Sequence, residues 1–143
     1  MKLEVLKNKC TSCVKCTLST TRNNVVFGRG NPDSNLFVIG EGPGQQEDEQ
    51  GLAFVGRSGK MLDDIFLSVG IDTNKDCYIS NIVKCRPPDN RKPLINEVSE
   101  CMPWLTQQIN LVKPNIIVLA GSTAVESYLG IKKPISQLRG SWI

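Results

Sequence analysis

The sequence predicts an α/β fold built on a parallel sheet, and three observations carry that expectation. Three short apolar runs, Leu36 to Ile39 (LFVI), Cys77 to Val83 (CYISNIV) and Ile116 to Leu119 (IIVL), have the length and β-branched content of buried strands. Segments with apolar residues at helical spacing lie between them. Parallel neighbours need crossover connections, so helices between strands place helices on both faces of the sheet. At 143 residues with 40% hydrophobic side chains, the chain suits one domain over residues 1–143.

Taken in order, Lys2 to Lys9 reads as a short helix, with Leu3, Leu6 and Val5 toward one face, leading into a cluster of cysteines. The Leu36–Ile39 strand leaves the core through the tight loop Gly40-Glu41-Gly42-Pro43-Gly44. Ser58 to Val69 carries Met61, Leu62, Ile65, Phe66 and Val69 at helical spacing, with Ser58 as N-cap and Gly70 as the stop. The acidic run Glu47, Asp48, Glu49 reads as a solvated helix face with no catalytic role. After the second strand, CRPPDNRKP is a surface loop, because its prolines forbid regular structure. Glu97 to Leu111 is helical despite Pro103, Pro114 separates it from the third strand, and Ser122 to Leu129 forms a short helix. Lys132 to Ser136 reads as a mobile turn.

Composition narrows the chemistry. A formal net charge of +3 is compatible with a nucleic-acid partner without demanding one. No apolar run approaches the roughly eighteen residues that cross a bilayer, and MKLEVLKNK lacks the apolar stretch of a signal peptide. A soluble, cytoplasmic protein without membrane contact is therefore expected, and its six cysteines read as metal ligands or buried thiols rather than disulfides. The chain has no histidine, which excludes mixed Cys/His zinc sites and any imidazole acid, base or electrophile from these residues.

Cys10, Cys13 and Cys16 form two overlapping Cys-x2-Cys pairs, and Cys85 and Cys101 lie far downstream. Four thiolates drawn from two distant segments suit either an all-cysteine zinc site or a [4Fe-4S] cluster, and spacing alone does not choose between them. Cys77, inside an apolar strand, reads as an inert buried thiol. The glycine-rich loop falls at the C-terminal end of a parallel strand, where ligands bind in open α/β sheets. There Gly42 lets the backbone approach a ligand and Glu41 supplies a carboxylate, unless the loop is simply a tight turn. Phe54, flanked by glycines in GLAFVG, is either a core side chain or a ring held for stacking. Asn81, near the end of an apolar strand, either ties down a loop or matches the edge of a pyrimidine base. Arg86, Arg91 and Lys92 are candidates for phosphate contact, against the plainer reading of solvated charge.

Together these strings resemble the iron-sulfur, thermostable-type uracil-DNA glycosylases of family 4. The matching segments are CVKC at 13–16, VVFGRGNPD at 25–33, GEGPG at 40–44, FVG at 54–56 and NIVKCRPP at 81–88, with Cys101 where a fourth ligand is expected. The resemblance implies an α/β/α sandwich and hydrolysis of the N-glycosidic bond of uracil in DNA, a step of base-excision repair. It implies a [4Fe-4S] cluster on Cys13, Cys16, Cys85 and Cys101, with Cys10 and Cys77 outside the pattern and Cys10 a competitor of Cys13. Phe54 would stack on the base, Asn81 would read the uracil edge, Gly42 would offer a backbone N–H to a uracil carbonyl, and Glu41 would sit near the sugar or the attacking water. The cluster would be structural, pinning the N-terminal segment to the Arg86–Lys92 loop.

The sequence departs from the family pattern in one respect. Family members continue past an RGSW-like segment into another strand and a His-Pro-Ser-type loop, which do not follow here. Loss of one such preorganised donor costs about a hundred- to a thousand-fold in rate, so impaired turnover, or a non-catalytic DNA-binding module of the same fold, is the expectation. The absent strand would leave Ile116–Leu119 at a sheet edge, which predicts a shortened chain or self-association through that edge.

Overall fold

The structure, a computed structural model, describes residues 2–143. A four-stranded sheet runs in the order β1-β3-β2-β4, formed by β1 (Arg29–Gly30), β2 (Leu36–Gly40), β3 (Cys77–Asn81) and β4 (Ile116–Leu119). The three strands read from the sequence are parallel, as expected. β1 is an addition: two residues pair antiparallel with β3, Arg29 opposite Ile79 and Gly30 opposite Tyr78. A strand this short leaves no periodicity to detect, and pairing alone makes it one. Register places Gly40 directly opposite Asn81, so β2 and β3 end side by side.

Alternation along the strands divides the core into two layers. Phe37, Ile39 and Tyr78 face a cluster that includes Cys101 and Leu105 of α4 (Ile95–Val112) and Ala124 of α5 (Ser122–Leu129). Val38, Cys77 and Ile79 face the opposite way, onto Leu62 and Phe66 of α3 (Arg57–Ser68). A smaller cluster joins Leu6 and Cys10 of α1 (Leu3–Cys10) to Phe27 and Trp104. Helices therefore cover both faces, and the α/β/α sandwich stands.

Several boundaries differ from the sequence reading for local reasons. α3 starts at Arg57 behind Gly56, not at Ser58, because the Gly56 amide is taken by a Glu47 carboxylate oxygen at 2.5 Å. Of the five apolar residues read at helical spacing, only Leu62 and Phe66 face the sheet, while Met61, Ile65 and the C-cap Val69 are more than half exposed. Glu47 and Asp48 belong to a helix the sequence reading did not delimit, α2 (Gln45–Gln50), and neither is solvated surface. Asp48 is buried and accepts hydrogen bonds from the Asn23 and Asn24 amides. β3 stops at Asn81 as a strand, although Ile82 and Val83 still donate to the Gly40 and Glu41 carbonyls and so tie the two strand ends together. Pro103 is tolerated in α4 on its exposed side, where Ser99, whose carbonyl it deprives of an N–H, is exposed as well. Part of the expected 132–136 turn is already helical, as α6 (Ile135–Leu138). β4 lies at the end of the strand order with Ile116 exposed, as expected of an edge. No helix among the described residues is long and apolar enough to cross a membrane.

Candidate active site

The ends of β2 and β3 open into a cleft of about 260 Å³, lined by Glu41, Gly42, Pro43, Gly44, Phe54 and Asn81, among others. All four residues assigned to the pocket from the sequence therefore meet in one place. Gly40 fixes how closely they meet. A Cβ there would collide with Phe54 Cζ and lie 2.6 Å from Asn81 Oδ1, so the ring and the amide converge on one backbone atom that has no side chain.

Asn81 is only 2% exposed, and its side-chain amide makes no hydrogen bond to the protein among the described residues. What surface it keeps faces the cleft. Its main chain is fixed instead: the ammonium of the fully buried Lys84 donates to the Asn81 carbonyl at 2.6 Å and to Ser80 Oγ at 2.7 Å. Burial pushes the Lys84 ammonium down to about 8.

Glu41 accepts a hydrogen bond from Thr123 Oγ1 at 2.5 Å, and Thr123 is buried at the start of α5. This partner lies 82 positions along the chain, beyond the reach of local pattern. Glu47, read from the sequence as part of a solvated face, is the second residue that sequence reasoning missed. Its carboxylate accepts from the Gly44 amide at 3.0 Å and from the Val55 and Gly56 amides, joining the glycine-rich loop to the segment that bears Phe54. The spacing of an acid three residues into a helix was the available signal, since such a residue reaches back to its own N-terminus.

The basic loop is more tightly bound than its charge suggests. Arg91 forms a bidentate pair with Glu97, both contacts at 2.8 Å, and the Glu97 carboxylate, fully buried, also accepts from the Leu94 amide. Arg91 hydrogen bonds hold the Glu97 carboxyl below the usual range. Arg86 Nε donates to Asn90 Oδ1, and Lys92 reaches Glu126 at 3.1 Å on the surface.

Five cysteines, Cys10, Cys13, Cys16, Cys85 and Cys101, line a second recess, narrow at about 10 Å³, with Leu18, Val25, Val83 and Trp104. Three sulfurs receive N–H donors: Cys13 from Trp104 Nε1 at 3.4 Å, Cys85 from Arg22 Nη1 at 3.3 Å and Cys101 from the Lys84 amide at 3.2 Å. Donors of this kind suit thiolates rather than thiols. Burial pushes the Cys10 thiol up to about 12 and Cys101 to about 11, so a cationic partner is what would make them thiolates at neutral pH. Among the described residues, no three Cys, His, Asp or Glu side chains stand close enough to clasp a single metal ion. Cys77 lies elsewhere, buried, with its thiol on the Thr73 carbonyl at 3.3 Å.

An open α/β sheet with a polar cleft at its strand ends and a cysteine-lined recess beside it defines a class of ligand-binding α/β proteins, and comparison with known proteins narrows the class. The model of the uracil DNA glycosylase superfamily matches residues 27–143. The type-4 uracil-DNA glycosylase of Thermotoga maritima is 41% identical over 140 residues, which covers 97% of this chain and 72% of that protein. The type-4 enzymes of Archaeoglobus fulgidus and Saccharolobus solfataricus are 40% and 38% identical, over 87% and 98% of this chain. This chain spans 62% and 67% of their respective lengths. The chain belongs to the uracil-DNA glycosylase superfamily, and within it to the type-4 family.

Proposed function

We propose that this chain recognises uracil in DNA and hydrolyses its N-glycosidic bond, the chemistry named for its type-4 relatives. The observation that carries the reading is Asn81: a nearly buried amide with both hydrogen-bonding functions free, turned into a cleft beside an aromatic ring. A uracil flipped out of the DNA stack presents an N–H and a carbonyl on one edge, which the Asn81 Oδ1 and Nδ2 complement. Phe54 supplies the stacking face.

As the glycosidic bond breaks, the sugar gains positive character and the base departs as an anion. Glu41, oriented by Thr123, supplies the fixed negative charge on the sugar side or holds the attacking water. The Gly42 amide supplies a donor to a uracil carbonyl. These 143 residues contain no histidine, so turnover by them rests on backbone and amide donors. A rate lower by about a hundred- to a thousand-fold than with an imidazole donor is expected.

Soft thiols brought to one recess from two distant segments, three of them receiving N–H donors, suit a [4Fe-4S] cluster, with zinc as the alternative. Cys13, Cys16, Cys85 and Cys101 would hold it, with Cys10 on the same wall. The group would supply a cross-link between the N-terminal segment and the loop that follows β3. Arg86 and Lys92 face outward from that loop as contacts for a DNA backbone, while the Arg91 guanidinium secures the loop to α4. The β4 edge is a surface for a second copy, and solution molar mass against concentration tests that pairing.

Anaerobic purification with a visible spectrum and iron and sulfide content, followed by single-turnover incubation with a uracil-containing oligonucleotide, tests the whole reading. Iron-sulfur absorbance with abasic-site formation supports it. A loaded cluster that binds the oligonucleotide without cleavage identifies a binding module, and zinc without iron refutes the cluster.

A further inference from the structure

Phe54 holds a main-chain φ of +54°, the left-handed region that residues with a side chain rarely occupy. The conformation is strained and persists only where surrounding groups impose it. Those groups are identifiable. Arg29 donates from Nε to the Ala53 carbonyl at 2.6 Å and from Nη2 to the Phe54 carbonyl at 3.1 Å. Its remaining donors go to Asp63 at 3.1 Å, Thr73 at 3.3 Å and Asn74 at 2.9 Å, so all five N–H groups of the guanidinium are engaged. The side chain is 11% exposed and springs from β1, which is paired to the strand that ends in Asn81. From the other side, Glu47 takes the Val55 and Gly56 amides. Beneath, α3 approaches so closely that a Cβ at Gly59 would collide with the Phe54 carbonyl.

We propose that Arg29 is a positioning residue for base recognition: by fixing the Ala53 and Phe54 carbonyls it sets the left-handed turn that aims the Phe54 ring over Gly40 and Asn81. The inference rests on the reading of Phe54 as the ring that stacks on the flipped base. Its physical content is that the guanidinium acts through the ring and only through it. Lysine cannot substitute, because one ammonium cannot span two successive carbonyls and an anchoring carboxylate in a fixed fork.

The test is a double-mutant cycle on binding rather than turnover. The full chain, with variants Arg29→Ala, Arg29→Lys, Phe54→Ala and the double Arg29→Ala/Phe54→Ala, is titrated by fluorescence anisotropy. The probe is a single-stranded oligonucleotide carrying one 2′-fluoro-2′-deoxyuridine, whose glycosidic bond resists cleavage. Stacking is worth about 1–3 kcal/mol per base, so Phe54→Ala should weaken binding by roughly 5- to 150-fold. Arg29→Ala and Arg29→Lys should each weaken it by about tenfold, the double variant should bind no more weakly than Phe54→Ala alone, and affinity for the same oligonucleotide with thymine should not move. Losses that add in full, or unchanged binding by a folded Arg29→Ala, overturn the proposal. Wild-type affinity in Phe54→Ala refutes instead the stacking reading on which the proposal rests, and the proposal falls with it. Should Arg29→Ala not fold, Asp63→Asn releases the guanidinium from one side and carries the same cycle, with the same outcomes deciding.

Discussion

Substituting Gly40 by alanine tests the pocket at its narrowest point. The new methyl carbon would lie 2.6 Å from Asn81 Oδ1 and closer still to Phe54 Cζ, well inside van der Waals contact with both. Gly40 is the last residue of β2, paired to Asn81 on one side, so its backbone cannot retreat without breaking sheet register. The ring and the amide must move instead. A displacement on the order of 1 Å at positioning groups costs about a hundredfold in rate, equivalent to about 2.7 kcal/mol of barrier. Overpacking costs stability as well, about 1–3 kcal/mol. Gly40→Ala should therefore remain folded, with a melting temperature a few degrees lower, while single-turnover cleavage of a uracil-containing oligonucleotide falls about a hundredfold. A folded Gly40→Ala that cleaves at the parental rate would show that the base does not enter between Phe54 and Asn81.

Three further expectations follow from the same geometry. Thr123→Val removes the donor to Glu41 and should lower the single-turnover rate by roughly tenfold or more, a hydrogen bond to a charged group being worth about 1.5–3 kcal/mol, while binding of the uncleavable oligonucleotide stays unchanged. Glu97→Gln leaves Arg91 facing a neutral amide, and denaturant unfolding at neutral pH should show a lower midpoint. The sign with pH is fixed by direction: the Glu97 carboxyl is depressed in the folded state, so its stabilisation is complete above the unfolded value of about 4.3. It is lost as pH falls through the lower folded value, an acid dependence that Glu97→Gln should flatten. Cys85→Ser should abolish iron content and visible absorbance, whereas Cys77→Ser, whose thiol meets only the Thr73 carbonyl, should retain both.

How much of this was written locally can be argued residue by residue. LFVI and IIVL are legible as strands because runs this short, rich in β-branched residues and bounded by glycine or proline, are too short for helices. GEGPG, Phe54 and Asn81 are legible as a site because strand ends in an α/β sheet are where ligands bind, and because glycines around an aromatic ring and a polar residue in an apolar strand are anomalies that local structure does not require. The gathering of the Cys-x2-Cys segment with Cys85 and Cys101 is legible from the sequence, and Cys77 stands apart as its apolar strand implies.

What the sequence alone could not decide are the contacts between distant segments. The pairing of Arg29 with the turn at Phe54 spans 25 positions, Thr123 with Glu41 spans 82, and Trp104 with the Cys13 sulfur spans 91. Each is a hydrogen bond whose partners share no periodicity and meet only once the sheet order β1-β3-β2-β4 is set. The same holds for Glu47 and Asp48, acids that composition assigns to solvent and that packing converts into ties between loops. Hydrophobic pattern is a property of neighbours along the chain, so the sequence by itself determined the layers, the three parallel strands and the kinds of residue gathered at the cleft. Hydrogen-bond partnership is a property of neighbours in space, so tertiary structure alone decided which side chains hold those residues in place.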